Sequence, residues 1–231
     1  MWRITLLLIP LALPAMAQTC GRPICSADAV NLSLTSIIDF EELTGGNGPG
    51  RPVTGILSLD GARFGERFQG ITITARSSYD HVADLGNTRA TSPLTLLAGD
   101  AGFNLSILRL PDTVLLSGDG PAGFPRQDAT GEGAIAVLFD SDQRALAFDL
   151  RGGEGGFATV AFFRRDGSLI DIHHPGPLAE ASYGYVRTGQ NADIAGFVII
   201  NDDPEGIAFD NLRFDPPART STLPQPNEPT G

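Results

Sequence analysis

Three sets of polar residues have the types and spacing to do chemistry. Asp171 and His173 stand two apart, so on a strand they share one face, with His174 turned the other way. A carboxylate beside an imidazole can bind a transition metal or exchange protons. No third ligand lies at a suitable local spacing, and the pair runs into Pro175-Gly176-Pro177, which reads as a strand end entering a turn. Tyr79, Asp80, His81 and Asp84 crowd one polar stretch. With a distant serine they could imitate a hydrolase triad, but no G-x-S-x-G elbow is present and a solvated loop explains them. Asp140/Asp142 and Asp202/Asp203 are paired acids of the kind glycosidases use. Both pairs fall in turn-like sequence, where aspartate bonds its own backbone. Gly152–Gly156 lacks the Lys-Ser/Thr ending of a phosphate loop and reads as a hairpin connection.

The elements that must position these residues are short strands. Ile71-Thr72-Ile73-Thr74 alternates apolar and polar residues, the mark of a strand buried on one face. Strands are expected over 36–43, 53–59, 68–75, 94–97, 103–110 and 113–116 in the first half. They are expected over 134–139, 145–151, 157–164, 169–173, 182–187, 195–200 and 207–214 in the second. Residues 76–92 and 117–132 read as long loops, and long ordered loops on a β scaffold often carry function. Ten to thirteen strands without an amphipathic helix predict an all-β fold. The expected form is a single-domain antiparallel β-sandwich of jelly-roll type, spanning 35–214.

The ends of the chain read differently. Arg3, the apolar run Ile4 to Leu13 and Ala15-Met16-Ala17 make residues 1–17 a signal peptide cleaved before Gln18. Cys20 near that site raises a lipoprotein as the alternative, but Thr19 fits poorly where a small residue is needed. No later segment is long and apolar enough for a transmembrane helix. Periplasmic or secreted localisation follows. In such a compartment Cys20 and Cys25, the only cysteines, are expected to form a disulfide in an N-terminal segment, 18–34, with a short helical turn near Ser26 to Val30. Residues 215–231, rich in proline, read as a disordered tail.

The chain carries 27 acidic and 16 basic residues, a net charge of −11. That balance argues against nucleic acid and anionic membranes as partners and is compatible with neutral glycans and divalent cations.

Three segments together resemble exported bacterial jelly-roll domains, similar to carbohydrate-binding modules and to PEP-CTERM passenger domains. They are Ile38-Asp39-Phe40-Glu41, Phe162–Leu169 and Ala208-Phe209-Asp210-Asn211-Leu212-Arg213-Phe214. The resemblance covers about residues 36–214, without the C-terminal sorting signal of PEP-CTERM proteins. It implies a non-catalytic module for a glycan or cell-surface polymer. It also implies a structural Ca²⁺ held between the first and last strands by Glu41 or Glu42 and by Asp210, with Asn211 as a further candidate. Asp210 and Asn211 would point to opposite faces by strand alternation, so one of the two would be the ligand. Sugar platforms use aromatic faces. The only tryptophan, Trp2, lies in the leader, so Tyr79, Tyr183 and Tyr185 are the candidates, with Asp80 and His81 beside the first. A glycoside hydrolase or polysaccharide lyase on the same fold, and a structural surface or matrix protein, are the alternatives.

Overall fold

The computed structural model describes residues 20–215, except 78, 83–84, 86–88, 154, 190 and 204. The expected signal peptide, the proline-rich tail beyond 215 and Asp84 lie outside the described residues. Side chains of Tyr79–Val82 lie outside them too.

Two antiparallel sheets pack face to face. The first runs, in spatial order, β1 (Ile24–Ala27), β16 (Ala181–Arg187), β13 (Ala145–Gly152), β18 (Ile207–Phe214), β11 (Val114–Gly118), β10 (Leu105–Arg109) and β3 (Arg51–Pro52); β2 (Ser36–Ile38) also pairs with β18. The second runs β15 (Leu169–His173), β14 (Ala158–Phe163), β17 (Ile194–Asn201), β12 (Ile135–Gln143), β5 (Ala62–Gly65) and β4 (Leu57–Leu59). Two ribbons complete the set, β6 (Arg67–Phe68) with β9 (Leu96–Leu97) and β7 (Ile73–Arg76) with β8 (Tyr79–Val82). From β12 to β18 the chain passes repeatedly from one sheet to the other, so the all-β, antiparallel jelly-roll sandwich expected from the sequence is the fold. No helix among the described residues is long and apolar enough to cross a membrane.

The main core lies between the sheets. Phe148, Phe162, Phe197, Phe209 and Tyr185 fill it, with Phe148 and Phe197 stacked at 5.6 Å and 13°. A second apolar cluster covers the other face of the six-stranded sheet. Ala136, Leu138, Ala161, Phe163, Ala195 and Val198 meet Phe68, Ile71, Leu85, Leu94 and Leu96 there. This explains why β12, β14 and β17 read as nearly continuous apolar runs: both of their faces are buried. Gly196 makes the close approach possible. A Cβ there would sit 2.4 Å from the Val137 carbonyl oxygen and 2.9 Å from the Phe68 ring.

Several expectations are corrected. Residues 76–92 are not one long loop, because β8 pairs with β7 from Ile73↔Val82 to Arg76↔Tyr79. The tight turn between them starts at Ser77, φ 61, and carries no Gly or Asn to advertise it. Asp140 and Asp142 lie within β12, not in a hairpin loop, because Arg144 alone separates β12 from β13 on the other sheet. The first strand ends at Ile38 instead of running to residue 43, since Phe40 adopts φ 61. There are eighteen strands among the described residues, several only two residues long and too short to leave a periodic signal. The expected helical turn appears as a 3-10 turn over Ala29–Asn31, capped by the Asp28 carboxylate.

Candidate functional site

A hollow opens where β2 leaves the first sheet and faces the β4–β5 hairpin. Its volume is about 890 Å³. Phe40 shapes one wall. Its ring enters the core, edge-on to Phe64 at 5.4 Å and Phe209 at 6.3 Å, and to reach there the backbone turns left-handed. That conformation costs on the order of 1–2 kcal/mol for a non-glycine residue, which burying the ring offsets. The turn displays Asp39, Glu41 and Glu42 along the rim. Asp39 accepts the Glu41 N–H at 3.2 Å, and Leu43 N–H closes onto the Phe40 carbonyl at 2.9 Å. The opposite wall is the Asp60-Gly61 turn. Gly61, at φ 88, leaves room for the Phe214 ring, which a Cβ would meet at 2.8 Å. Asp60 is the fourth carboxylate, and Ile37, Ile38, Leu59 and Phe214 supply apolar surface between them. Ile37 is 55% exposed.

Two of the three residues expected to hold calcium converge. Glu41 Oε1 accepts from Val114 N–H at 2.9 Å and from the Thr113 hydroxyl at 2.9 Å. Thr113 Oγ1 also lies 3.3 Å from Asp210 Oδ2. The Val114 bond, then the Thr113 bond, holds the Glu41 carboxyl below the usual range. Burial pushes the Asp210 carboxyl up. Glu42 lines the cleft without joining this contact. Calcium takes six to eight oxygens, and the meeting point offers two carboxylates around one hydroxyl. Arg151 Nη2 stands 4.0 Å from Asp210, supplying positive charge from the protein itself. No group of three or more His, Cys, Asp or Glu with metal-site geometry occurs among the described residues. The residues present fit a strand junction better than a cation cage.

The junction has a clear cause. One edge of β18 serves two strands in turn: Phe209 pairs with Leu116 of β11, and Leu212 with Ile38 of β2. Between them Asn211 takes φ 47, and the register with β13 shifts between Ala147 and Asp149. This bulge corrects the expected alternation. Asp210 and Asn211 do not divide between the faces: Asp210 meets Thr113 while Asn211 Nδ2 donates to Asp149 at 3.0 Å, both on the face away from the core. Ser182 and Arg213 also bond Asp149.

Of the remaining candidates, Tyr183, Tyr185, Asp171 and His173 have partners within the fold. Tyr185 is a core residue, 2% exposed, packed on Phe148, Phe162 and His173. It presents no ring face to solvent. Tyr183 is half-buried against Phe148, and its hydroxyl lies 3.2 Å from Ala179 N–H, which donates to it. Tyr79, Asp80 and His81 fall on β8, where side-chain positions are not described. Asp171 and His173 do share a face, Oδ2 to Nε2 at 3.4 Å, but that face meets β1. Asp171 accepts from Ile24 N–H at 3.2 Å, and from Arg22 Nη2 at 2.6 Å. His173 Nε2 lies 3.1 Å from the Ile24 carbonyl, consistent with a neutral ring that donates there. The pair therefore ties the edge strand of one sheet to the edge strand of the other. His174 turns away and meets Thr159 at 3.1 Å. Asp203 is buried and accepts the Gly156 N–H at 2.9 Å, which pins the glycine-rich connection; it is not the expected hairpin, because it carries the chain from β13 in the first sheet to β14 in the second.

The sequence left two features unnoticed. Asp60 belongs to an Asp-Gly pair, a hairpin signal, and turns the chain from β4 into β5. Asp119 is buried, its two oxygens lie 2.9 and 2.8 Å from the Ser106 hydroxyl, which donates to one of them, and burial lifts its pKa to about 6. Nothing local to Asp119 announces its burial. Compared with known proteins, the chain matches no family model, no curated protein and no solved structure.

Proposed function

We propose that this protein is a non-catalytic extracytoplasmic binding domain that takes a neutral glycan or another hydroxyl-rich surface polymer in the cleft between β2 and the β4–β5 hairpin. The observation that carries the reading is the make-up of that cleft: Asp39, Glu41, Glu42 and Asp60 around an apolar strip, in a hollow of about 890 Å³. Carboxylates accept strong, charge-assisted hydrogen bonds from sugar hydroxyls, and the apolar strip suits their C–H faces. A phosphate-bearing ligand would be repelled by the same groups. The leader-like residues 1–17 and the Cys20–Cys25 disulfide, with Cα atoms 5.7 Å apart, support a periplasmic or secreted setting.

The test is binding of the mature chain to a panel of neutral glycans, in calcium and again in chelator, alongside a Glu42→Gln/Asp60→Asn double variant. Selective binding weakened at least tenfold by the double variant supports the cleft. Binding that disappears with chelator adds a cation to the proposal, and binding that survives removes it. A folded protein that binds nothing on the panel sinks the reading.

A further inference from the structure

A second hollow, of about 530 Å³, has the opposite character. In a chain of net charge −11, three arginines line it: Arg22, Arg164 and Arg187. Each is held in place by the protein. Arg187 is 7% exposed and bonds Asp193 through Nε at 2.7 Å and Nη2 at 3.2 Å. Its Nη1 donates to the Pro23 carbonyl at 2.7 Å. Arg164 shares the same carboxylate, Nε to Asp193 Oδ2 at 2.9 Å. One aspartate thus serves two guanidinium groups, which leaves the local balance positive. The pair, Arg187 first, holds the Asp193 carboxyl below its usual range despite burial. Arg22 is fixed by Asp171 through Nε at 3.2 Å and Nη2 at 2.6 Å.

A guanidinium has five N–H donors in a planar fork. The bonds to Asp193 and Ser168 use Nε and Nη1 of Arg164, and its Nη2 makes no hydrogen bond among the described residues. The same holds for Nη1 of Arg22. The wall that carries Arg22 is itself built. The ring closed by Cys20 and Cys25 contains Gly21, Arg22 and Pro23. Three donors converge on the Pro23 carbonyl: Arg187 Nη1, Thr188 N–H at 3.0 Å and Thr188 Oγ1 at 3.0 Å. Cations fixed before the ligand arrives lose little entropy on binding, and arginine matches planar and tetrahedral oxyanions.

We propose that the hollow lined by Arg22, Arg164 and Arg187 is an oxyanion-binding site for a carboxylate or sulfate group, such as an acidic sugar carries. The site stands on its own geometry and does not depend on the neutral-glycan cleft. The disulfide's role there is to hold Arg22 against the hollow's rim.

The test titrates the mature chain with trigalacturonate and, separately, with inorganic sulfate, following backbone amide shifts of Thr188 and Gly189. Saturable binding of either probe, weakened about tenfold or more by Arg164→Gln or Arg22→Gln and unchanged by Glu42→Gln, supports the site. Sulfate binding alone assigns it to a free inorganic oxyanion; trigalacturonate binding alone assigns it to a substituent on a sugar chain. The proposal fails if the folded protein binds neither probe. It fails equally if both arginine variants, shown by thermal melting to be folded, bind as the parent does.

Discussion

Glu41 and Asp210, from opposite ends of the domain, meet on a single hydroxyl: Thr113 Oγ1 is 2.9 Å from Glu41 Oε1 and 3.3 Å from Asp210 Oδ2. A hydroxyl has one proton to donate, so it satisfies one carboxylate at a time. The Val114 N–H at 2.9 Å secures Glu41 independently. The contact locks the gap on the β18 edge where β11 gives way to β2, and so fixes the wall of the acidic cleft.

Thr113→Val removes that shared donor while keeping the side chain's shape. Unfolding in urea is expected to show a loss of about 1 kcal/mol, with Thr113→Ser close to the parent. A valine variant as stable as the parent would mean the hydroxyl does not hold the junction.

His173 makes the join between the sheet edges sensitive to acid. Burial lowers its pKa, with the Arg22 charge acting in the same direction and Asp171 opposing. The folded protein thus binds fewer protons at this ring than the unfolded chain, whose histidine titrates near ~6.5. The ring's contribution is present above that value and is lost as pH falls through the folded pKa. Urea midpoints measured from pH 8 down to pH 5 are expected to fall more steeply in the parent than in His173→Gln. Equal slopes would contradict this account.

Asp119 acts with the opposite sign. Its folded pKa of about 6 lies above the unfolded value, so its contribution is fully present below about 3.9 and is lost as pH rises through 6. Asp119→Asn keeps a partner for Ser106 and removes the buried charge. The variant is expected to be more stable than the parent at pH 8, by about 1–2 kcal/mol, and to match it near pH 4. A variant less stable than the parent at pH 8 would show that the carboxylate is needed there.

Phe68 holds the second apolar cluster, 0% exposed and edge-on to Phe163 at 5.4 Å. Phe68→Ala is expected to cost about 3–5 kcal/mol, read from thermal or urea unfolding. A loss below about 1 kcal/mol would mean the segment between β6 and β9 does not pack as part of the fold.

Reduction of the Cys20–Cys25 bond, which closes a ring of few residues, is expected to lower stability by about 2 kcal/mol in a loop-entropy account. Trapping the thiols with iodoacetamide before unfolding measures it. The native-state amide signals of Ile24, tied to Asp171 at 3.2 Å, should shift as β1 loosens. Signals that stay in place after reduction would show that β1 is held without the bridge.

The sequence by itself determined the fold class, the cysteine pairing and the shared face of Asp171 and His173. Each is a local property: alternation along a strand, a short loop between two cysteines, a spacing of two. It also brought Glu41 and Asp210 to attention, through a resemblance and not through any spacing between them. Only the tertiary structure decided what those residues meet. The apolar run of β17 has the same letters whether one face or two are covered, and the covering segment is distant in sequence. Tyr185 looked available for a ligand because its core partners, Phe148 and Phe162, belong to other strands. The bulge at Asn211 overturned the alternation rule because β18 changes partner there, and a change of partner is written in no single strand. The three arginines of the second hollow come from the disulfide ring, the residue just past β14 and the last residue of β16, and only the stacking of two sheets puts their charges in one place.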